Sequence, residues 1–379
     1  MTTQPHTEPT TDRRSSSRPD TPGAPAPEVT AAATEFAGRC VGIMNQAAIA
    51  LLTSVGHQTG LFELLAAHPG ATSHRLAEAG GLQERYVREW LGGMVTAGFV
   101  RYDPADGTHV LPPEHAAVLT PAAGPDNMAH LMQYIGMMGD VEQQIVERFH
   151  TGGGLSYADY PNFHRTMVQE SAAVNDASLI DGILPLVTGL PERLGAGIEV
   201  ADVGCGSGHA VNLMAAAYPR SRFTGYDFSA AAIATARQEA TAWGLANARF
   251  EVLDVAELDL EGGFDAVTAF DAIHDQAHPA RVLANIHRAL RPGGVFLMVD
   301  IRAESRVEDN IDLPWASYLY AMSMFHCMSV SLGLGGDGLG TVWGRQVAQR
   351  MVLEAGFGSV EARGIETDPF NTYYVALRD

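Results

Sequence analysis

Residues 199–209 read Glu199-Val-Ala-Asp-Val-Gly-Cys-Gly-Ser-Gly-His209, and Tyr226-Asp227 follows downstream. A short run of apolar, partly β-branched residues ends in three alternating glycines, the pattern of a buried strand that turns into a helix. Gly204, Gly206 and Gly208 allow a ligand to approach the backbone and allow angles closed to other residues. Asp227 lies roughly 20 residues beyond the turn, where a βαβ unit presents an acid to a nucleoside ribose. His209 stands where the dinucleotide fingerprint requires glycine, so a simple NAD-type turn is disfavoured.

Working outward, strands are expected at 198–203, 221–226, 248–252, 264–270 and 295–300, with helices at 209–218, 230–243 and 279–290 between them. Ser229 is a candidate helix cap. Alternation of this kind gives a doubly wound α/β sheet whose ligands lie beyond the strand C-termini. After Asp300 the alternation stops for a helical insertion, 301–342. A helix at 343–354 and strands at 360–365 and 373–377 follow. Asp368-Pro-Phe-Asn371 is too short for a crossover helix, so the last strand is expected to run antiparallel.

Upstream, residues 31–120 read as three helices and a hairpin, a winged-helix order. Residues 1–30 are rich in Thr, Ser and Pro and nearly free of large apolar side chains, and are expected to form a disordered tail. Residues 121–190 form a helical connector, with Met128, Met132, Met137 and Met138 around Tyr134. Such methionines form core or a compliant lining for an apolar ligand. Tyr157, Tyr160 and Phe163 sit on a loop punctuated by Gly and Pro, suited to closing over a cofactor or acceptor. Glu170 is a candidate carboxylate facing the cleft, and Arg148, His150 and Arg165 are candidates for a local positive pocket.

The chain has 379 residues, with 24 Lys plus Arg against 44 Asp plus Glu, for a net charge of −20. That excess argues against nucleic acid as a partner. The candidate recognition helix agrees, because Glu84, Arg85, Arg88 and Glu89 make it mixed rather than basic. The first domain is instead expected to build a homodimer. Three scattered cysteines show neither metal spacing nor a disulfide framework, which points to a reduced, cytoplasmic setting. No stretch is expected to approach the length of a membrane span.

Taken together, these motifs resemble the class I S-adenosylmethionine-dependent methyltransferases, whose Rossmann-like seven-stranded sheet ends in an antiparallel strand. The resemblance implies that Asp202, Gly204, Gly206 and Gly208 lie near the amino-acid moiety of S-adenosyl-L-methionine. It implies that Asp227 binds the ribose, with Phe228 beside it. Asp254 and Val255 match the adenine position, Phe270 and Asp271 match the end of strand four, and Leu290-Arg-Pro-Gly-Gly294 matches the motif before strand five. Tyr157 is assigned to the cofactor as well.

Ala272-Ile-His-Asp275 resembles the L-H-D-W segment of the winged-helix small-molecule O-methyltransferases, which makes His274 a general-base candidate. Gln276 replaces that family's tryptophan. The whole chain also resembles an actinobacterial natural-product group, including a geranyl diphosphate C-methyltransferase type. That likeness makes C-methylation of a prenyl diphosphate the leading expectation, with Glu170 as base and Mg2+ as a candidate companion of the diphosphate. Tyr134, Tyr160, Phe163, Trp315, Tyr318 and Met324 would line the acceptor, and Ala210 would leave room for a longer tail. The second expectation is O- or N-methylation of an aromatic or polyketide-like metabolite with His274 as base. The third is a DNA-binding regulator.

Overall fold

A computed structural model describes residues 30–379, with His164 described by its backbone only. The expected tail therefore lies outside the described residues, apart from Thr30.

The chain opens with α1 (Ala31–Thr59), α2 (Leu61–Ala67), α3 (Ser73–Gly80) and α4 (Glu84–Thr96), then the hairpin β1 (Arg101–Asp103) and β2 (Thr108–Val110), and α5 (Pro113–Leu119). Thr72 caps α3 by accepting from Arg75 N, and Gly81 ends that helix in the left-handed conformation. Val87, Trp90, Leu91 and Met94 recur at helical spacing on α4 and are buried with Phe62, Leu65 and Leu76. Trp90 Nε1 donates to Leu52 O at 2.7 Å, tying the last part of α1 to this core.

One expectation changes here. At 29 residues, α1 is long and apolar enough by length and composition to cross a membrane. Ile43, Met44, Ile49, Leu51, Leu52 and Val55, with the alanines between them, supply that character.

The connector holds α6 (Met128–Leu131), α7 (Gln133–Thr151) and α8 (Phe163–Ser178), with a 3₁₀ turn at Tyr157–Asp159. The last part of the expected helical connector is not one continuous α-helix. The α-helix instead stops at Ser178 and continues as a π turn, Leu179–Ile183, and a 3₁₀ turn, Leu184–Leu186. Pro185 accounts for the stop, since it lacks an N–H and its ring clashes with the preceding turn.

The catalytic-type domain follows as α9 (Leu190–Ala196), β3 (Glu199–Val203), α10 (His209–Ala217), β4 (Arg222–Asp227), α11 (Ala230–Ala242), β5 (Ala248–Val252), β6 (Phe264–Phe270), α12 (Pro279–Ala289) and β7 (Leu290–Ile301). The insertion contains α13 (Ala316–Met322), a π turn at Ser323–Cys327, and α14 (Met328–Gly333); α15 (Gly344–Glu354), β8 (Ser359–Ile365) and β9 (Asp368–Leu377) complete the chain. The seven-stranded sheet has the order β5-β4-β3-β6-β7-β9-β8. β9 is antiparallel to both its neighbours, and β3 to β7 are mutually parallel.

Period-two burial explains the two layers. Ala201, Val203, Phe296, Met298, Tyr374 and Ala376 pack on the α12 and α15 side. Val200, Val295, Leu297, Tyr373 and Val375 pack on the side of α9, α10 and α11. Two strand starts differ from expectation. Leu290 pairs with Phe264 and Val295 with Ala266, so residues 291–294 loop out within β7. β9 begins at Asp368, not Tyr373, because Asp368 Oδ1 accepts from Phe370 N and Asn371 N, while Ile365 pairs with Asp368 across a two-residue loop.

Candidate active site

The glycine turn sits at the C-terminal end of β3, between β4 and β6 in the sheet. Gly204 N and Cys205 N donate to Tyr226 O at 2.9 and 3.0 Å, stitching the turn to the end of β4. Gly206 N donates to Asp227 Oδ2 at 3.0 Å and Ser229 N to Asp227 Oδ1 at 2.8 Å, so two backbone N–H groups orient the acid. All three glycines have positive φ, at 68°, 52° and 75°. Their surroundings differ. A Cβ on Gly204 would meet Ala272 Cβ at 2.5 Å, and one on Gly208 would meet Ala236 and Phe250 at 2.5 Å. A Cβ on Gly206 would meet nothing within 4 Å. Gly204 and Gly208 thus serve close packing, while Gly206 keeps an open approach to the backbone.

Asp202 lies beneath this turn and is 3% exposed, accepting from Thr268 Oγ1 at 2.6 Å. Desolvation, with Asp227 nearby, pushes its carboxyl up to about 7 despite that bond. Phe228 is exposed and lies 5.4 Å, ring to ring, from Tyr157. Asp254 caps a short 3₁₀ turn by accepting from Ala256 N, and Val255 is buried. Phe270 packs on the α10 side of the sheet. Asp271, after β6, is the sole described non-glycine residue with positive φ, at 48°. Its side chain is accessible, yet desolvation, then Asp300, pushes its carboxyl up to about 8. An accessible group walled by protein is the situation of a residue lining a cleft. A non-glycine residue in that backbone region carries strain of order 1–2 kcal/mol.

His274 is 3% exposed. Its Nδ1 is 2.8 Å from Asp300 Oδ1, and its Nε2 is 3.2 Å from Asp275 Oδ1. Asp300 is fully buried, and its Oδ1 also accepts from Trp343 Nε1 at 3.1 Å. Burial alone would pull the imidazole down, but the Asp300 and Asp275 carboxylates outweigh it and hold His274 well above its usual range.

Glu170, on α8, accepts a short hydrogen bond from the Tyr134 hydroxyl of α7. Desolvation raises its carboxyl above the usual range, against the opposing effects of Tyr134 and His130. Tyr134, Tyr160 and Phe163 share one cluster with Tyr157, Tyr318 and Met324, joining connector and insertion. His326 stacks on Phe163 at 3.5 Å, and Tyr160 OH donates to Phe325 O at 2.5 Å.

Other expected residues do not join this group. His150 and Arg165 are exposed, the latter donating to Asn162 Oδ1 at 3.1 Å, and only Arg148 is half-buried. The expected positive pocket is not assembled, because charged side chains at helix ends turn to water when nothing buried pairs them. Ala210 is 7% exposed and packs with Leu179, Ile183 and Val211, so it fills core rather than leaving room for a tail. Trp315 packs on Phe370 at 4.8 Å.

Sequence reasoning missed Asp275, Asp300, Cys327, His326 and Trp343 as members of the site. Asp300 was signalled, since it is a carboxylate at the C-terminal end of a parallel strand, where α/β sheets place their ligands.

Comparison with known proteins agrees with these two modules. Residues 47–121 match the family model described as the Rv2258c-like winged HTH domain, and residues 194–327 match a methyltransferase domain model. The chain is 32% identical over 121 residues to trans-aconitate 2-methyltransferase from Methylobacterium nodulans, spanning 32% of this chain and 42% of that protein. It is 39% identical over 107 residues to the enzyme of the same name from Deinococcus radiodurans, spanning 28% and 38% respectively. The alignments thus span about two-fifths of the length of these curated relatives. The mitomycin 7-O-methyltransferase MmcR superposes with a TM-score of 0.66 at 20% identity, covering 92% of this chain and all 100% of that one. Human N-acetylserotonin methyltransferase, in complex with SAM, gives 0.66 at 16% identity, covering 90% and 97%. The chain has the fold of a class I S-adenosylmethionine-dependent methyltransferase, joined to an N-terminal winged-helix domain.

Proposed function

We propose that this chain transfers a methyl group from S-adenosylmethionine to a hydroxyl or amine of a hydrophobic small molecule, aromatic or polyketide-like in character. One observation carries the reading: the open approach at Gly206 beside an Asp227 held by two backbone N–H groups. The residues fit the cofactor's nucleoside, since a carboxylate accepts from ribose hydroxyls and an open glycine admits a ligand to the turn. The cofactor supplies an electrophilic methyl group on a sulfonium. The chain's own task is to align the acceptor and exclude water.

The aromatic and methionine cluster around Tyr134, Phe163, Tyr318 and Met324 is the apolar wall for the acceptor, and Glu170 with Tyr134 is its polar end. The His274–Asp300 pair is the acceptor-activating group. The buried Asp300 carboxylate fixes Nδ1 and so orients the imidazole.

The prenyl diphosphate expectation is less well supported. Its anion would need buried cationic partners or Mg2+. His150 and Arg165 are exposed, and among the described residues the one cluster of metal-ligating side chains contains imidazole and thiol, softer donors than Mg2+ selects.

Labelled methyl transfer to phenols, aryl amines and geranyl diphosphate, with and without Mg2+, tests the reading. Turnover of phenols or amines without Mg2+ is expected; transfer to geranyl diphosphate alone overturns the acceptor assignment. Glu170→Gln is expected to raise KM severalfold with kcat largely kept, whereas collapse of kcat assigns Glu170 the proton instead.

A further inference from the structure

The loop after β6 and the π turn of the insertion meet at a group of three side chains. His274, Asp275 and Cys327 each offer one metal-ligating atom, and these atoms all lie within 4.8 Å of one another. Cys327 is 7% exposed and His274 is 3% exposed. We propose that these three residues form a binding site for a thiophilic divalent cation of the Zn2+ class, fastening the insertion to the loop after β6.

Four independent features converge on it. Nitrogen and oxygen ligands at about 2.0–2.2 Å and sulfur at about 2.3 Å from a tetrahedral ion put donor atoms about 3.3–3.6 Å apart. His274 Nε2 and Asp275 Oδ1 stand 3.2 Å apart, and Cys327 Sγ is also 3.6 Å from His326 Nδ1. The second ring nitrogen of His274 is already fixed by the buried Asp300, the carboxylate–histidine arrangement that orients metal-bound imidazoles. Asp300 is anchored in turn by Trp343 Nε1 and Ile301 N.

Buried polar atoms are also left unmatched here. Asp300 Oδ2 lacks a hydrogen-bond partner although Asp300 is fully buried, and Asp275 Oδ1 has the 3.2 Å ion pair with His274 Nε2 but no hydrogen bond. Lastly, Cys327 lies in a π turn, a local widening that recurs at functional sites.

The site is built to collect positive charge: two carboxylates and a thiol surround one imidazole. Coordination would replace the Cys327 S–H bond by a metal–sulfur bond and the Nε2–H bond of a charged His274 by a metal–nitrogen bond, releasing both protons to solvent. Three protein ligands leave a fourth tetrahedral position for a water or for the acceptor's heteroatom. Only the identity of that fourth ligand rests on the function proposed above.

The test uses the full chain without an affinity tag, stripped with chelator and titrated with Co2+. A near-ultraviolet sulfur-to-cobalt charge-transfer band is expected to saturate at about one equivalent per chain. It should be absent in Cys327→Ser, with folding checked by circular dichroism. Asp300→Asn should keep the band while weakening affinity about 10–100-fold. No band in the wild-type protein overturns the proposal without needing any variant, as does a band that survives in Cys327→Ser. Methyl transfer by chelated protein that shows no cobalt band removes the metal site and leaves the methyltransferase reading standing. A cobalt band with no transfer to any acceptor supports the metal site and counts against that reading.

Discussion

At the residue scale, the three glycines of the turn make separable predictions. Gly208→Ala forces a Cβ against Ala236 and Phe250 in addition to its positive φ, so a loss of about 1–3 kcal/mol in stability is expected, read as a lower Tm. Gly206→Ala meets no protein atom, so its stability cost is about 1 kcal/mol of backbone strain. Its larger effect is on ligand binding, because the methyl group stands where the approach is open. Equal Tm losses in the two variants would contradict this division. Gly204, Gly206, Gly208 and Asp227 were legible because backbone geometry leaves few residue types for their positions. Asp275 and Cys327 were not, because they stand 52 positions apart in sequence and only the insertion's fold brings their side chains together.

At the element scale, α8 is coupled to the nucleoside side of the sheet through His209, the first residue of α10. Its Nε2 is 3.0 Å from Asp176 of α8, and its Nδ1 is 2.8 Å from Glu239 of α11. Burial pulls this imidazole down, but the bonds to Asp176 and Glu239 outweigh it and raise it above its ordinary value. A folded-state value above the unfolded one means the link contributes fully below about pH 6.5 and fades as pH rises through the folded value. The Tm difference between wild type and His209→Gln should therefore be larger at pH 6 than at pH 9; a difference independent of pH contradicts the assignment. Strand positions were read from apolar runs to within a residue or two, apart from the early pairing of Leu290 that starts β7, while the start of β9 and the end of α8 were not. Side-chain bonds from Asp368 and the ring of Pro185 set those boundaries, and apolar periodicity does not register either.

At the scale of the whole molecule, the doubly wound sheet and the antiparallel β9 were legible because strand–helix alternation and a short final connection leave few topologies. The acceptor side was not, because it is assembled from connector and insertion helices whose composition also suits plain core. Charge makes a further prediction. Arg85 pairs with Glu89 and Arg88 with Glu84 on α4, and the chain carries a net charge of −20. No shift of random duplex DNA is expected at physiological salt, and a salt-sensitive shift would revive a regulatory reading. Phe36, Val41, Ile43 and Met44 on α1 are exposed, which supports the proposed homodimer. Sedimentation at low protein concentration should give a dimer mass, and a monomer contradicts that proposal. The central claim is that the glycine turn and Asp227 hold the nucleoside of S-adenosylmethionine. Calorimetric titration with S-adenosylhomocysteine tests it most directly: the account predicts saturable binding that weakens at least about tenfold in a folded Asp227→Ala protein, since hydrogen bonds to a charged group contribute about 1.5–3 kcal/mol. Absence of binding to the wild-type chain, or equal affinity in Asp227→Ala, would contradict it.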